Sequence, residues 1–255
     1  MSKIISLHSF RRGTGKSTIA ANLAALFALE GGHVGVIDTD LQSPSLHLDF
    51  GLADAQITFT LNDYLWGKCD LRQAAYDVTA NLEVDPERKI TGRAYLVPAS
   101  PDAKEIARIL RGGYDPNLPQ AGFQKLMQDL ALNVLLVDTH AGISEATLAV
   151  VALSDVLAIV LRPDLQDYQG TSLTVALARR LGVPRVLLVV NEVASVFKTA
   201  QVKSQVEVVC GCEVAAMLPH SNEMLALAGT RLFVLNYPTH PLTLALRRLV
   251  AQLVA

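Results

Sequence analysis

The chain has 255 residues, 51% of them hydrophobic, with 22 Lys and Arg against 24 Asp and Glu. That length and apolar content fit one α/β domain with a sizeable core. The near-neutral balance excludes a strongly basic nucleic-acid protein, and three cysteines exclude a disulfide framework.

Apolar runs of four to six residues alternate with helical patterns, the sign of a parallel sheet with crossover helices. The strand candidates are Lys3–His8, Val34–Asp38, Tyr95–Pro98, Val134–Asp138, Val156–Leu161, Val186–Asn191 and Val214–Leu218. They show little alternation, so helices should cover both faces. The first helix is expected from Lys16 to Glu30, with Ile19, Leu23, Leu26 and Phe27 on one face and Gly31-Gly32 as its stop. Thr60 to Asp77 reads as two short helices around Gly67, and Asn81 to Arg93 as a loop or hairpin. Helices are expected at Pro101–Leu110, Gln120–Leu130, Ser144–Leu153, Gly170–Leu181, Thr199–Val209 and Pro241–Val254, with a loop at Gly112–Pro116. The pattern predicts a single doubly wound domain over residues 1–255, a mostly parallel twisted sheet with helices on both faces. The N-terminus lacks the apolar core of a signal peptide, and the most apolar stretch, Leu148 to Leu161, is too short for a membrane span. A cytoplasmic protein is expected.

Chemistry concentrates first in Ser9-Phe10-Arg11-Arg12-Gly13-Thr14-Gly15-Lys16-Ser17-Thr18. A strand leads in and a helix leads out, the layout of a phosphate-binding P-loop. Backbone N–H groups from Arg12 to Thr18 would surround an anion at the positive end of the helix. Lys16 would reach the β- and γ-phosphates, and the Ser17 hydroxyl would hold Mg²⁺. The loop is irregular, with Phe10 where the pattern wants glycine. Acids stand at the carboxyl ends of three strand candidates: Asp38-Thr39-Asp40, Asp138 in Asp138-Thr139-His140-Ala141-Gly142, and Asp164 after Arg162-Pro163. Ligands sit at strand ends of this kind. Four apolar residues followed by Asp138 make a Walker B pattern, whose acid balances Mg²⁺ directly or through water. Gly142 suits a loop that re-forms around a γ-phosphate.

The loop, Asp38-Thr39-Asp40, Asp138–Gly142 and Asn191 occur in the order of the MinD/ParA family of ATPases, which this chain resembles over nearly its full length. Arg11 stands where the family's extra lysine stands, and Arg12 replaces the first of its two glycines. The resemblance implies that Asp40 orients the attacking water while Asp38 supports the metal. It implies that Asn191 hydrogen-bonds adenine and that the turn at Pro219 flanks the base. Glu192 departs from the family's usual Lys or Arg. The missing guanine-type Asn-Lys-x-Asp pattern favours ATP. The family's extra lysine reaches a partner's γ-phosphate across a face-to-face dimer, which implies the same role for Arg11, with Arg12 as the fallback. The alternative is that both arginines act only within their own chain.

The implied function is a slow, partner-stimulated ATPase switch. It would bind Mg²⁺ and ATP, form a sandwich homodimer and position a cargo through a regulatory protein. Two alternatives stay open: a metal-cluster assembly ATPase using Cys210 and Cys212, and a nucleotide-binding dimer with little hydrolysis. Nonspecific DNA binding through Arg179-Arg180 and Arg247-Arg248 also stays open. A membrane role for the segment Pro241 to Ala255 is the weaker reading, because its apolar stripe suits a core.

Overall fold

The computed structural model describes residues 2–82, 90–113, 115, 118–227, 229 and 231–255. Eight strands form one sheet: β1 (Lys3–His8), β2 (His33–Asp38), β3 (Tyr76–Asp77), β4 (Arg93–Val97), β5 (Val134–Asp138), β6 (Val156–Leu161), β7 (Arg185–Val193) and β8 (Val214–Pro219). Their order across the sheet is β3-β4-β2-β5-β1-β6-β7-β8. Every pairing is parallel except that of β3 with β4.

The helices are α1 (Lys16–Leu29), α2 (Leu46–Asp49), α3 (Leu61–Leu65), α4 (Ala103–Gly112), α5 (Leu118–Asp129), α6 (Glu145–Ala152), α7 (Leu165–Arg180), α8 (Thr199–Cys210), α9 (Asn222–Leu227), α10 (Phe233–Asn236) and α11 (Pro241–Val254). Alternate residues of one strand serve opposite layers. Val156, Ala158 and Val160 of β6 pack into the layer of α1, α10 and α11, whereas Leu157, Ile159 and Leu161 pack into that of α7 and α8. That double burial is why the strands read as unbroken apolar runs. The doubly wound fold expected from the sequence is the one observed.

Three expectations need correction. Helix α1 buries more than one stripe: Ala20, Ala21, Ala24 and Ala25 are as inaccessible as Leu23 and Leu26. It lies between the sheet and α11, and an all-round apolar helix belongs in such a place. The region after Gly67 forms no second helix. Tyr76 and Asp77 instead pair antiparallel with β4, and the Tyr76 hydroxyl accepts the N–H groups of Thr58 and Phe59 at 2.7 and 2.9 Å. Tertiary pairing there overrides local propensity. Helix α7 starts at Leu165, five residues before the expected Gly170, because Asp164 caps it by accepting from Asp167 N. The expected loops at Asn81–Arg93 and Gly112–Pro116 lie partly outside the described residues.

Helix α11 packs Leu242, Leu246, Leu249, Val250 and Leu253 into the core. Its C-terminal carbonyls are held by two cations: Lys3 Nζ donates to Val254 O at 2.8 Å and Arg185 Nη1 to Gln252 O at 2.6 Å. Cations suit that negative end of a helix. No helix among the described residues is long and apolar enough to cross a membrane.

Candidate functional site

Strand β1 lies between β5 and β6, so the loop that follows it opens where the chain's winding direction reverses. Such switch points form crevices at the strand ends. Gly13 and Gly15 have φ of 77° and 90°, a conformation that favours glycine. Helix α1 begins at Gly15 with no side-chain cap. Its first N–H groups therefore lack the usual internal partner and face the loop's concavity.

Lys16 Nζ lies 2.7 Å from Asp138 Oδ1, with the two side chains only 7% and 1% exposed. Asp38 and Asp138 are opposite each other in the β2–β5 register. Asp38 accepts N–H groups from Asp40 at 3.0 Å, Ser45 at 3.3 Å and Leu46 at 3.4 Å, so its carboxylate shapes the following loop and starts α2. Burial, and then the neighbouring Asp138 charge, push Asp38 up to about 8 despite the Asp40 N–H. Two buried acids share one ammonium: Asp138 pairs with Lys16 and Asp38 keeps its proton, which a divalent cation would displace. Among the described residues no group of three or more His, Cys, Asp or Glu could hold an ion unaided. A cation here would need waters or phosphate oxygens to complete its shell, which fits Mg²⁺. Ser17, in the first turn of α1, is half-buried beside Lys16 in the chain.

The two strand-end loops meet the P-loop directly. Thr39 donates to Asp138 O through both N and Oγ1 at 2.9 Å, and Gly142 N donates to Ser9 O at 2.9 Å. Asp40 Oδ1 lies 2.7 Å from His140 Nδ1 and accepts Ser43 N at 3.1 Å. His8 sits beneath the loop, 2.8 Å from Thr139 Oγ1, and that hydroxyl gives its own proton to Leu7 O at 3.0 Å. His8 Nδ1 must then be the donor. Burial first, then the charge of Lys16, push the His8 ring down to about 3.

The arginines divide. Arg11 is held within its own chain: Nη1 donates to Asp164 Oδ1 at 3.2 Å and to Gln166 Oε1 at 2.9 Å, and Nε lies 3.5 Å from Asp167 Oδ1. The role implied by the resemblance, reaching a partner's phosphate, requires these three contacts to open. The competing ligands come from the start of α7, more than 150 residues away in the chain. Arg12 is exposed and bonds Ser43 Oγ at 3.0 Å. Phe10, the irregular residue, lies against Gly170 of α7. Arg162 adds a contact that the sequence did not disclose, donating to Gly13 O. Its position directly after β6 was the available signal.

Asn191 and Pro219 line one cavity of about 240 Å³ with Gly15, Thr18 and Glu192, so both expected base-contacting residues reach the same space. Asn191 does not simply face that space, because its Nδ2 donates to Thr14 O at 2.8 Å. It also lies so near Gly15 that a Cβ there would stand 2.4 Å from Nδ2. Glu192, with φ of 57°, pairs with His220 at the cavity's edge, which accounts for an acid in place of a cation. That partner raises His220 above its ordinary value.

Cys210 and Cys212 are buried, each with its sulfur facing a backbone carbonyl, Tyr168 O at 3.8 Å and Val186 O at 3.3 Å. They are not exposed for metal transfer. Arg179 donates to Gly211 O at 2.6 Å and Arg247 lies 3.6 Å from Glu30, so both arginine pairs are partly committed to their own chain.

Comparison with known proteins agrees with this geometry. Residues 5–231 match the family model described as the CobQ/CobB/MinD/ParA nucleotide binding domain. An uncharacterized ATP-binding protein of Methanocaldococcus jannaschii is 30% identical over 256 residues, covering 100% of this chain and 88% of that protein. The septum site-determining protein MinD of Thermotoga maritima is 25% identical, covering 90% of this chain and 80% of its own. Among solved structures, MinD of Pyrococcus horikoshii complexed with Mg-ADP aligns with a TM-score of 0.80 at 21% identity, covering 99% of this chain and 96% of that one. The P-loop, the paired acids at β2 and β5 and the match across most of the chain lead to one assignment: this protein belongs to the CobQ/CobB/MinD/ParA nucleotide-binding family.

Proposed function

We propose that this protein is an ATPase switch of the MinD/ParA kind, slow on its own and stimulated by a regulatory or cargo protein. The observation that carries the reading is the buried Lys16–Asp138 pair, with Asp38 beside it, at the mouth of the glycine loop. Names among the relatives support the nucleotide: one is called ATP-binding, and one solved neighbour holds Mg-ADP. The backbone from Arg12 to Thr18 receives the phosphates. Lys16 neutralises the β- and γ-oxygens once it turns from Asp138. Ser17, Asp38 and Asp138 hold Mg²⁺, which supplies charge neutralisation of the phosphates when bound. Asp40 orients the attacking water, because phosphoryl transfer depends on placement and charge more than on a strong base. Asn191 and Pro219 bound the adenine cavity.

ATP binding would favour a sandwich homodimer, and hydrolysis would separate it and change what the partner reads. In the dimer Arg11 can reach a second phosphate only by leaving Asp164, Gln166 and Asp167, while Arg12 lies at the opening. Light scattering with ATP on wild type and Arg11→Ala checks this assignment. Equal dimerisation gives Arg11 a role within its own chain. Phosphate release by wild type against Asp40→Ala checks the enzyme reading. A wild type no faster than Asp40→Ala, with its partner present, reduces the protein to a nucleotide-binding dimer.

A further inference from the structure

The residue after Thr139 has no role in the site as described so far, yet it touches both switch loops and the P-loop. His140 Nδ1 is 2.7 Å from Asp40 Oδ1. Arg12 Nη2 lies over the ring, 3.3 Å from Nε2 and 3.5 Å from Nδ1. The same guanidinium donates to Ser43 Oγ at 3.0 Å and to Gln42 Oε1 at 3.4 Å, which fixes it to the loop carrying Asp40.

The guanidinium of Arg12, nearly equidistant from both ring nitrogens, lies over the ring and packs it against the loop that carries Asp40. A carboxylate can only accept hydrogen bonds, so the ring nitrogen facing Asp40 carries the proton: Nδ1–H donates to Asp40 Oδ1. Ser43 N–H donates to the same oxygen at 3.1 Å. Two donors on Oδ1 hold that oxygen in place and leave Oδ2 for the attacking water.

We propose that His140 is a positioning residue for Asp40, holding it through Nδ1 while Arg12 covers the ring. This rests on the ATPase reading above. His140 touches neither phosphate nor base in this role, so its loss should lower kcat and leave KM for ATP nearly unchanged. A 1 Å misplacement of a reacting group costs about 10²-fold in rate, and that is the expected effect of His140→Ala.

The test is phosphate release at saturating ATP for wild type, Asp40→Ala, His140→Ala, His140→Asn and His140→Gln, alongside fluorescent-ATP binding. An asparagine amide places its N–H₂ near the position of Nδ1, whereas a glutamine amide reaches the position of Nε2. The expected result is a slow His140→Ala, recovery toward wild type in His140→Asn, little recovery in His140→Gln, and ATP affinity within about twofold throughout. Should His140→Ala fail to fold, the Asn and Gln variants decide alone. Equal rates in those two, or a His140→Ala as fast as wild type beside a slow Asp40→Ala, overturn the positioning role and leave the ATPase reading intact. A wild type no faster than Asp40→Ala overturns both.

Discussion

The ring of Phe10 occupies the space that a side chain at Gly170 would need. A Cβ at that position would stand 1.9 Å from Phe10 Cδ1 and 2.2 Å from Cγ. The P-loop's irregular residue and a glycine in mid-helix are two halves of one contact. Gly170→Ala should push the ring away and disturb the start of the loop. Overpacking of this kind costs about 1–3 kcal/mol. Thermal unfolding should show that loss together with weaker ATP binding, and the same change in a Phe10→Gly background should be close to neutral. Equal losses in the two backgrounds would mean that the contact carries no coupling.

Removing Lys16 strands two buried acids. Breaking a buried pair by deleting one partner costs about 3–5 kcal/mol. Lys16→Met should approach that loss at pH 8 and lose less at pH 5, where Asp38 holds its proton. Urea unfolding at the two pH values measures the difference, and an equal loss at both would place the cost in packing.

Without metal or nucleotide, stability should fall as pH rises from about 6.5 to about 8. Burial raises Asp38 from 3.8 to about 8, with Asp138 adding to the shift, and raises Asp49 from 3.8 to about 7. In that window the unfolded chain has already released both protons, while the folded chain holds that of Asp49 up to about 7 and that of Asp38 up to about 8. The folded state therefore loses ground with each step upward. His8, lowered from 6.5 to about 3, has the opposite sign and acts only below its ordinary value. Melting temperatures in the presence of a chelator should decline across the window for wild type, and Asp38→Asn should flatten most of the slope.

Asn191 can read the base, hold the loop or do both. Its bond to Thr14 O predicts that Asn191→Ala weakens the loop itself, by about 1 kcal/mol for one lost hydrogen bond. Binding of ATP and of inorganic tripolyphosphate, measured by calorimetry, separates the roles. Loss for both ligands supports the loop contact, and loss for ATP alone assigns the amide to the base.

What could be read in advance followed from local chemistry. The limits of β1, β5 and β6 were legible to the residue, because a strand buried on both faces must be apolar throughout and ends at its first acid or turn. Lys16, Asp38, Asp40 and Asp138 were legible because strand ends converge in this topology. Arg11 was legible as a cation but its partners were not, since Asp164 and Asp167 reach it only through the packing of α7 against β6 and β7. The same holds for Phe10 with Gly170 and for Glu192 with His220, where each residue alone was an anomaly. The short helices α2, α9 and α10 escaped notice because four to six residues are too few for a periodic signal.

The cation caps on α11 have a consequence for how this molecule can be rebuilt. Because Lys3 grips the carbonyl of Val254, Lys3 and the end of α11 meet at the amino ends of the central strands, away from the P-loop. Strand β1, with six residues, separates that contact from the glycine loop by roughly 20 Å. A short linker could therefore join residue 254 to residue 3, and new ends could be cut at the exposed turn of Val196 and Phe197. Such a circular permutant should keep the strand order and the site while placing β8 and α11 ahead of β1 to β7 in synthesis.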